Sequence, residues 1–468
     1  MALSPSNMPR LRSCSDPGEG QGTFVSSVIT LSAAAMGCSI LALPRVFAVC
    51  GMRWSMAFLV VFALWVELSL RWLVACGRYS GRRGFRENAQ YFLGADAGRA
   101  VQICQVLLLC GGIVMIFVTA SSLLGCSARE MLASLCTEEP QRQPLVKLCQ
   151  AHPAPCMPLE RVLLLISLAV LPLACQKSLH SLTFVSMLSF ACLAYFFVVL
   201  LVRLAGKALS PEAVTFSFAL DEVAVPQFWQ GPPVLLMSLL CHTTILQLDA
   251  ELQPAAKPKV GAVVRTVILG EVLPVYTAVG AGGFWLHGSK VSANILEDFP
   301  GDPWMAAARL TLGLMNVAKL ASAVITLREA LVVSLGTSAK RRALRSFWGR
   351  VASSVAALGL GACGAYAIPS LAKVLSLLGC TLGVLFSLCL PAALYAVLLR
   401  RVSAEQRRQL KRDLEEPLLP WVPIEPAPGA VRLPKSDAEW ALQWLLCAVV
   451  FFGGLLVGGL GLMSWARG

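Results

Sequence analysis

The stretch "LSAAAMGCSILALPRV", Leu31 to Val46, decides how the chain is read. It lies in an apolar run, residues 24–48. That run is long enough to cross a bilayer, for which about 20 apolar residues suffice. Small residues crowd its middle: Ser32, Ala33, Ala34, Ala35, Gly37, Cys38 and Ser39, with Pro44 after them. Small residues serve tight helix packing in a membrane. They equally suit a helix that comes apart halfway and shows bare backbone to a ligand.

The surrounding chain supplies the context. It has 468 residues, 57% hydrophobic and 14% charged, with a mean hydropathy of +0.70. Soluble domains are usually about a quarter charged. The composition is that of a polytopic membrane protein, and the long non-alternating apolar runs make its spans helices. The net charge of +13 resides in short loops between those runs, which is an orientation signal rather than a sign of nucleic-acid binding. Most of the 17 cysteines sit in apolar segments, where Cys behaves as a small hydrophobe. Cys126, Cys136, Cys149 and Cys156 differ: they fall in or beside one long loop on the non-cytoplasmic side, where disulfides persist. Their pairing is left open among three arrangements. No metal-ligand spacing, phosphate-cradling Gly loop or catalytic triad stands out, so neither an enzyme nor a bound cofactor or metal is expected.

Eleven spans are predicted, at 24–48, 53–76, 100–126, 160–176, 179–204, 232–250, 260–285, 303–334, 349–368, 371–399 and 438–465. The Arg and Lys clusters at 78–99, 257–259, 340–345 and 400–412 alternate with poorer loops at 205–230 and 286–302. By the positive-inside rule the N-terminal tail, 1–23, is cytoplasmic and carries no signal peptide, and Gly468 lies on the other side. Residues 400–436 read as a cytoplasmic linker that becomes Pro-rich, ahead of a detached last helix in 437–468. In that helix Gly454 and Gly458 have small-xxx-small spacing and mark a packing face.

Ionisable groups at bilayer depth are expensive unless paired or wet, so the few that break the apolar runs are informative. Glu67 and Arg71 stand four apart and can neutralise each other. Glu271 in "ILGEVLPVY" has no neighbour in sequence to pair with, and is either functional or bound to another helix. His242, with Cys241, Thr243 and Thr244, forms the most polar cluster of an otherwise apolar span. It is either a ligand site or an internally satisfied histidine. Lys319 lies near the middle of a long span, too deep to snorkel easily, and needs carbonyls, a carboxylate or water.

With these residues in hand, the chain resembles the amino acid/auxin permease family, which holds sodium-coupled neutral and vacuolar amino acid transporters. "MGCSILALP", Met36 to Pro44, looks like the family's first-helix motif. "VLPLACQKSLHSLTFVSMLS" (170–189), "LLMSLLCHTTILQLDAEL" (235–252), "AIPSLAKVLSLLGCTLGVLFSLCLPAALY" (367–395) and "LREAL" (327–331) resemble further family stretches in the same order. The resemblance implies an all-α membrane fold of the LeuT type. Its two five-helix inverted repeats would cover 24–204 and 231–399, joined by the outer loop 205–230 and followed by an eleventh helix. It implies a transporter that moves amino acids by alternating access. It also answers the question of the opening stretch: the first helix of each repeat is discontinuous, here near Ala35–Ser39 and Leu240–Thr244.

Freed N–H groups at a half-helix start suit a carboxylate, and freed carbonyls suit an ammonium. On the resemblance, Gly37, Cys38 and Ser39, beside Met36, take the carboxylate of an amino acid. The ammonium falls to groups around Ala33 and Cys241, His242, Thr243 and Thr244. The second Gly of the usual G-S-G is Ser39, and the Asn common in sodium-coupled members is absent, with Thr30 and Ala33 near its place. Lys319 falls where those members have a sodium-holding Ser or Thr. Sodium is therefore doubtful, transport being either proton-coupled or uncoupled, and Lys319, Glu271 and Thr30 are the candidates for ion coupling or gating. The alternatives are an amino-acid sensor on the same scaffold and, for Lys319, a plain staple between helices. The acidic dileucine-like "EEPLLP" (415–420) leaves the plasma membrane and a vacuolar or endolysosomal membrane equally open.

Overall fold

The computed structural model describes residues 22–125, 159–176, 183–209, 227–253, 256–334, 338–415 and 437–467. Cys126, Cys136, Cys149 and Cys156 lie outside these, as does most of the linker with "EEPLLP". Among the described residues every element is helical, and the single non-helical backbone pairing is an isolated bridge between Gly22 and Leu252.

The first apolar run is broken. Helix α1 (Phe24–Ala35) starts at Thr23, whose side chain accepts from the Ser26 amide while the Ser26 hydroxyl accepts from the Thr23 amide. This reciprocal cap satisfies two donors that a helix start leaves open. The chain leaves the helix at Met36 and Gly37, makes a tight turn over Cys38–Ala42, and resumes as α2 (Leu43–Cys50). Pro44 stands in the first turn of α2, where its missing N–H costs nothing. The two halves are bent by 47°. Gly51, at φ 77, then reverses the chain into α3 (Met52–Ser80).

The bundle continues with α4 (Phe85–Leu93), α5 (Ala95–Gly125), α6 (Leu159–Ala174) and α7 (Thr183–Ala208). A second broken helix follows, α8 (Gly231–Ser238) and α9 (His242–Glu251). Next come α10 (Val260–Arg265), a π-helical stretch Thr266–Val272 and α11 (Leu273–His287), one continuous rod with Glu271 inside its widened turn. Helices α12 (Pro303–Ser334), α13 (Ser338–Arg345), α14 (Phe347–Ala367) and α15 (Leu371–Leu378) precede two π-turns and α16 (Leu390–Glu415). Helix α17 (Asp437–Arg467) ends the described chain. Eight of these helical rods are long and apolar enough to cross a membrane, nine if α1 and α2 are one bent span. Helices α6 and α14 lie on the two remaining apolar runs, with 16 and 21 residues.

Close contacts explain the small residues. Helix α11 meets α2 through Gly280 and Gly283: a Cβ there would stand 2.4 Å from the Phe47 ring and 2.5 Å from Pro44. A Cβ at Gly458 would lie 2.7 Å from the Cys380 carbonyl, and one at Gly454 3.1 Å from Leu388, so this face of α17 packs against the α15–α16 rod. Arg328 donates to the carbonyls of Ala174 (3.0 Å) and Gln176 (2.7 Å). Arg350 adds a bond to Cys175 at 3.0 Å, so two guanidiniums cap the last turn of α6. Glu67 pairs with Arg71, as their spacing predicts, and also lies 3.5 Å from Arg265.

Both ends of the bundle are tied. At the Arg- and Lys-rich end, Gly22 donates to the Glu251 carbonyl and accepts from the Gln253 amide, each at 3.0 Å, strapping the start of α1 to the end of α9. Arg78 holds Asp249 through a 2.6 Å contact and takes the Lys257 carbonyl as well. At the opposite end Arg45 donates to the Ser289 and Val291 carbonyls. There the Ser122 hydroxyl donates to Glu297, and Arg203 meets Asp302 at 2.6 Å.

Candidate functional site

The two breaks face each other across α11. The Tyr276 hydroxyl, fully buried, lies 2.8 Å from the Ala35 carbonyl at the end of α1 and 2.9 Å from the Ser238 carbonyl at the end of α8. Ser39 stands beside the same oxygen. Both carbonyls have lost their helical partners because the chain stops there, and a buried unpaired carbonyl is costly. The first break leaves amides as well. No backbone carbonyl outside the helices takes the amides of Gly37, Cys38 or Ser39 among the described residues.

Next to this break is a cavity of about 20 Å³, room for one water molecule. Met36, Gly37 and Cys38 line one side, Ser189 of α7 another, and Asn316 and Lys319 of α12 the third. Lys319 lies near Cys38 and Cys192, and no carboxylate pairs with it among the described residues. Thr119 of α5 approaches Cys38 from behind.

A second, much larger cavity of about 790 Å³ opens at the Arg- and Lys-rich end. Arg82, Arg83 and Arg86 surround its mouth, and Gln102, Gln105, Thr243, Gln247 and Thr326 line it. Thr326 is seven residues from Lys319 on α12, two turns along one face. At 1.5 Å per residue the two cavities are separated by about 10 Å of helix.

The structure sorts the candidate residues. Met36, Gly37, Cys38 and Lys319 line the small cavity together, and Ser39 stands beside Tyr276. Ala33 lies in the last turn of α1, just past the final helical bond, which runs from the Met36 amide to the Ser32 carbonyl, so its carbonyl is one of those the helix end leaves without a helical partner. The second break spans Leu239–Cys241 rather than Leu240–Thr244, because α9 begins at His242. Thr243 and Thr244 therefore belong to a regular first turn, and Thr243 faces the large cavity. His242 is fully buried and turns toward α3, where Ser69 meets its Nε2 at 2.7 Å; it is a packing contact between helices and lines neither cavity. Thr30 is exposed, its hydroxyl donates to the Ser26 carbonyl of its own helix at 2.8 Å, and it lines neither cavity. Glu271 does have a partner, the Ser32 hydroxyl at 2.5 Å, 239 positions away in sequence. Tyr276 escaped the sequence reading, although it stands at i, i+4 and i+7 with Gly280 and Gly283.

A profile described as "Transmembrane amino acid transporter protein" matches residues 20–419. The chain is 23% identical to "Amino acid transporter AVT6E" of Arabidopsis thaliana over 61% of its own length and 56% of that protein's. It is 23% identical to "Sodium-coupled neutral amino acid transporter 7" of Xenopus laevis over 58% of its length and 56% of the relative's. The chain thus spans little more than half the length of the curated relatives it matches. A crystal structure of a manganese transporter of Eremococcus coleocola superposes at a TM-score of 0.38 with 12% identity over 100% of both chains, below the level at which shape likeness bears on the fold. The profile covers most of the chain, broken helix and cavities included, and the protein belongs to the transmembrane amino acid transporter family.

Proposed function

We propose that the protein is a secondary transporter that carries amino acids across a membrane by alternating access, on two inverted five-helix repeats (24–204 and 231–399) with an eleventh helix. The observation that carries this reading is the pair of helix breaks that present freed carbonyls to one point and freed amides to an adjoining cavity. A zwitterion matches that arrangement: amides at a half-helix start suit its carboxylate, and carbonyls suit its ammonium. Gly37, Cys38 and Ser39 take the carboxylate in this reading. The large cavity, ringed by Arg82, Arg83 and Arg86, is the cytoplasmic vestibule by the positive-inside rule. In this reading the large cavity at the Arg- and Lys-rich end, rather than the ties found at both ends, marks a state open toward the cytoplasm.

Lys319 carries the coupling proposal. Its ammonium borders both the first break and α12, a place fit for a fixed positive charge instead of a mobile sodium ion. Transport is then sodium-independent, and Glu271, bound to α1 through Ser32, is the candidate proton carrier. Both relatives' printed names support an amino acid as cargo. Purified protein in liposomes, offered labelled amino acids with choline replacing sodium and with or without a pH gradient, tests the reading. Uptake that survives choline supports it; a strict sodium requirement overturns the coupling scheme, and saturable uptake of no amino acid overturns the function.

A further inference from the structure

Two helices end at Ala35 and Ser238, and one side chain meets both ends. Tyr276 has a single hydroxyl proton to share between two acceptors at 2.8 and 2.9 Å. An oxygen with one proton satisfies one carbonyl well and the second only partly. A substrate ammonium brings three N–H donors and satisfies both. Tyr276 is held at this point by its own helix: Gly280 and Gly283, on the same face, let α2 close onto α11 with Phe47 and Pro44 at distances a side chain would forbid.

We infer that the Tyr276 hydroxyl holds the place of the substrate ammonium in the empty transporter, an internal competitor that keeps the two carbonyls satisfied until an amino acid displaces it. The inference rests on the transport reading above and adds to it a residue that sets affinity. It gives the two buried helix ends, parted at the breaks, a partner of the protein's own. It also gives selectivity for donor-bearing nitrogens: a quaternary nitrogen has no N–H to offer the carbonyls, and cannot replace the hydroxyl.

The test compares wild type with Tyr276→Phe, which removes the hydroxyl and little else. Each common L-amino acid is titrated against purified protein, and the best binder is then titrated as its N,N,N-trimethyl derivative. The variant, when empty, should melt at a lower temperature than wild type. It should bind the amino acid about fivefold more tightly, the worth of one ordinary hydrogen bond no longer displaced, with no gain for the trimethyl derivative. Unchanged or weaker binding of the amino acid by Tyr276→Phe overturns the inference while leaving transport intact. A wild type that binds no amino acid instead overturns the transport reading beneath it. Should the variant fail to fold, wild type carrying 3-fluorotyrosine decides: replacing the other five of its six tyrosines one at a time assigns the Tyr276 fluorine resonance. A resonance that moves with the amino acid and not with the trimethyl derivative supports displacement, and one that stays still rules it out.

Discussion

Glu271 and Ser32 meet at 2.5 Å, carboxylate to hydroxyl, across the junction of α1 with the π-helical turn before α11. Ser32 is buried, and its carbonyl accepts the Met36 amide at 2.8 Å, the bond that closes the last turn of α1. The carboxylate therefore braces the helix end from which the first break starts. Glu271→Gln keeps an acceptor for the hydroxyl but can no longer change charge. It should retain amino acid binding and lose any stimulation of uptake by a proton gradient. Glu271→Ala leaves Ser32 unpaired and should cost about 1.5–3 kcal/mol of stability, the usual worth of a bond to a charged group. A Gln variant that still responds to the gradient like wild type removes Glu271 from the coupling scheme.

Lys319 predicts an ion dependence. Wild-type uptake should be the same in sodium and choline. Lys319→Met deletes the charge beside Cys38 while keeping much of the volume, and uptake should fall by about tenfold or more, the scale on which one lost charged contact registers. Uptake by Lys319→Met at the wild-type rate would reduce Lys319 to a packing residue.

The outer loop predicts a pH effect. Glu297 is exposed as a residue, but its carboxylate is partly withdrawn from water, which raises its pKa above the ordinary carboxylate value. The Ser122 bond opposes this shift and Asp298 adds to it. A raised native pKa means that the folded loop holds its proton more firmly than the unfolded chain does. The stabilising contribution is complete below the ordinary carboxylate value and fades as pH climbs through the raised one. Amide exchange of residues 291–298, corrected for intrinsic rates, should slow as the outer pH falls from neutral to acid. Glu297→Gln should flatten that dependence; an unchanged slope assigns the effect elsewhere.

Glycine substitutions separate packing from propensity. Gly280→Ala and Gly283→Ala put a methyl against Phe47 and Pro44, and each should cost about 1–3 kcal/mol through overpacking. Gly459→Ala in α17 meets nothing within 4 Å and should be neutral or slightly stabilising, since Ala exceeds Gly in helix propensity by up to about 1 kcal/mol. Melting temperatures of the three purified variants give the comparison. Equal losses at all three would show that the α2–α11 contact is looser than its distances imply.

The small residues of the first run left tight packing and a break equally open, and the resemblance of "MGCSILALP" to a family motif is what pointed to the break that the structure has at Met36 and Gly37. The α17 packing face was legible from the spacing of Gly454 and Gly458. What the sequence hid depends on partners far along the chain. The family resemblance put the second break at Leu240–Thr244, but helix α9 starts at His242 and the gap precedes it. His242 looked like a ligand group because Ser69, which meets its Nε2, is 173 positions away. Glu271 looked solitary for the same reason. Thr30 stands near the place of an Asn common in sodium-coupled members, yet its hydroxyl bonds its own helix, and a one-dimensional text does not say which side of α1 faces out. Tyr276 is the fullest case, since a lone aromatic in an apolar run carries no mark of the two distant carbonyls it serves.

The strap between Gly22 and the 251–253 backbone has a mechanical corollary. With the roots of α1 and α9 fastened together, neither half-rod can swing without hauling the other. On the proposed transport cycle the two roots would then move as a single hinged leaf rather than two shutters, and a load applied at either would reach both.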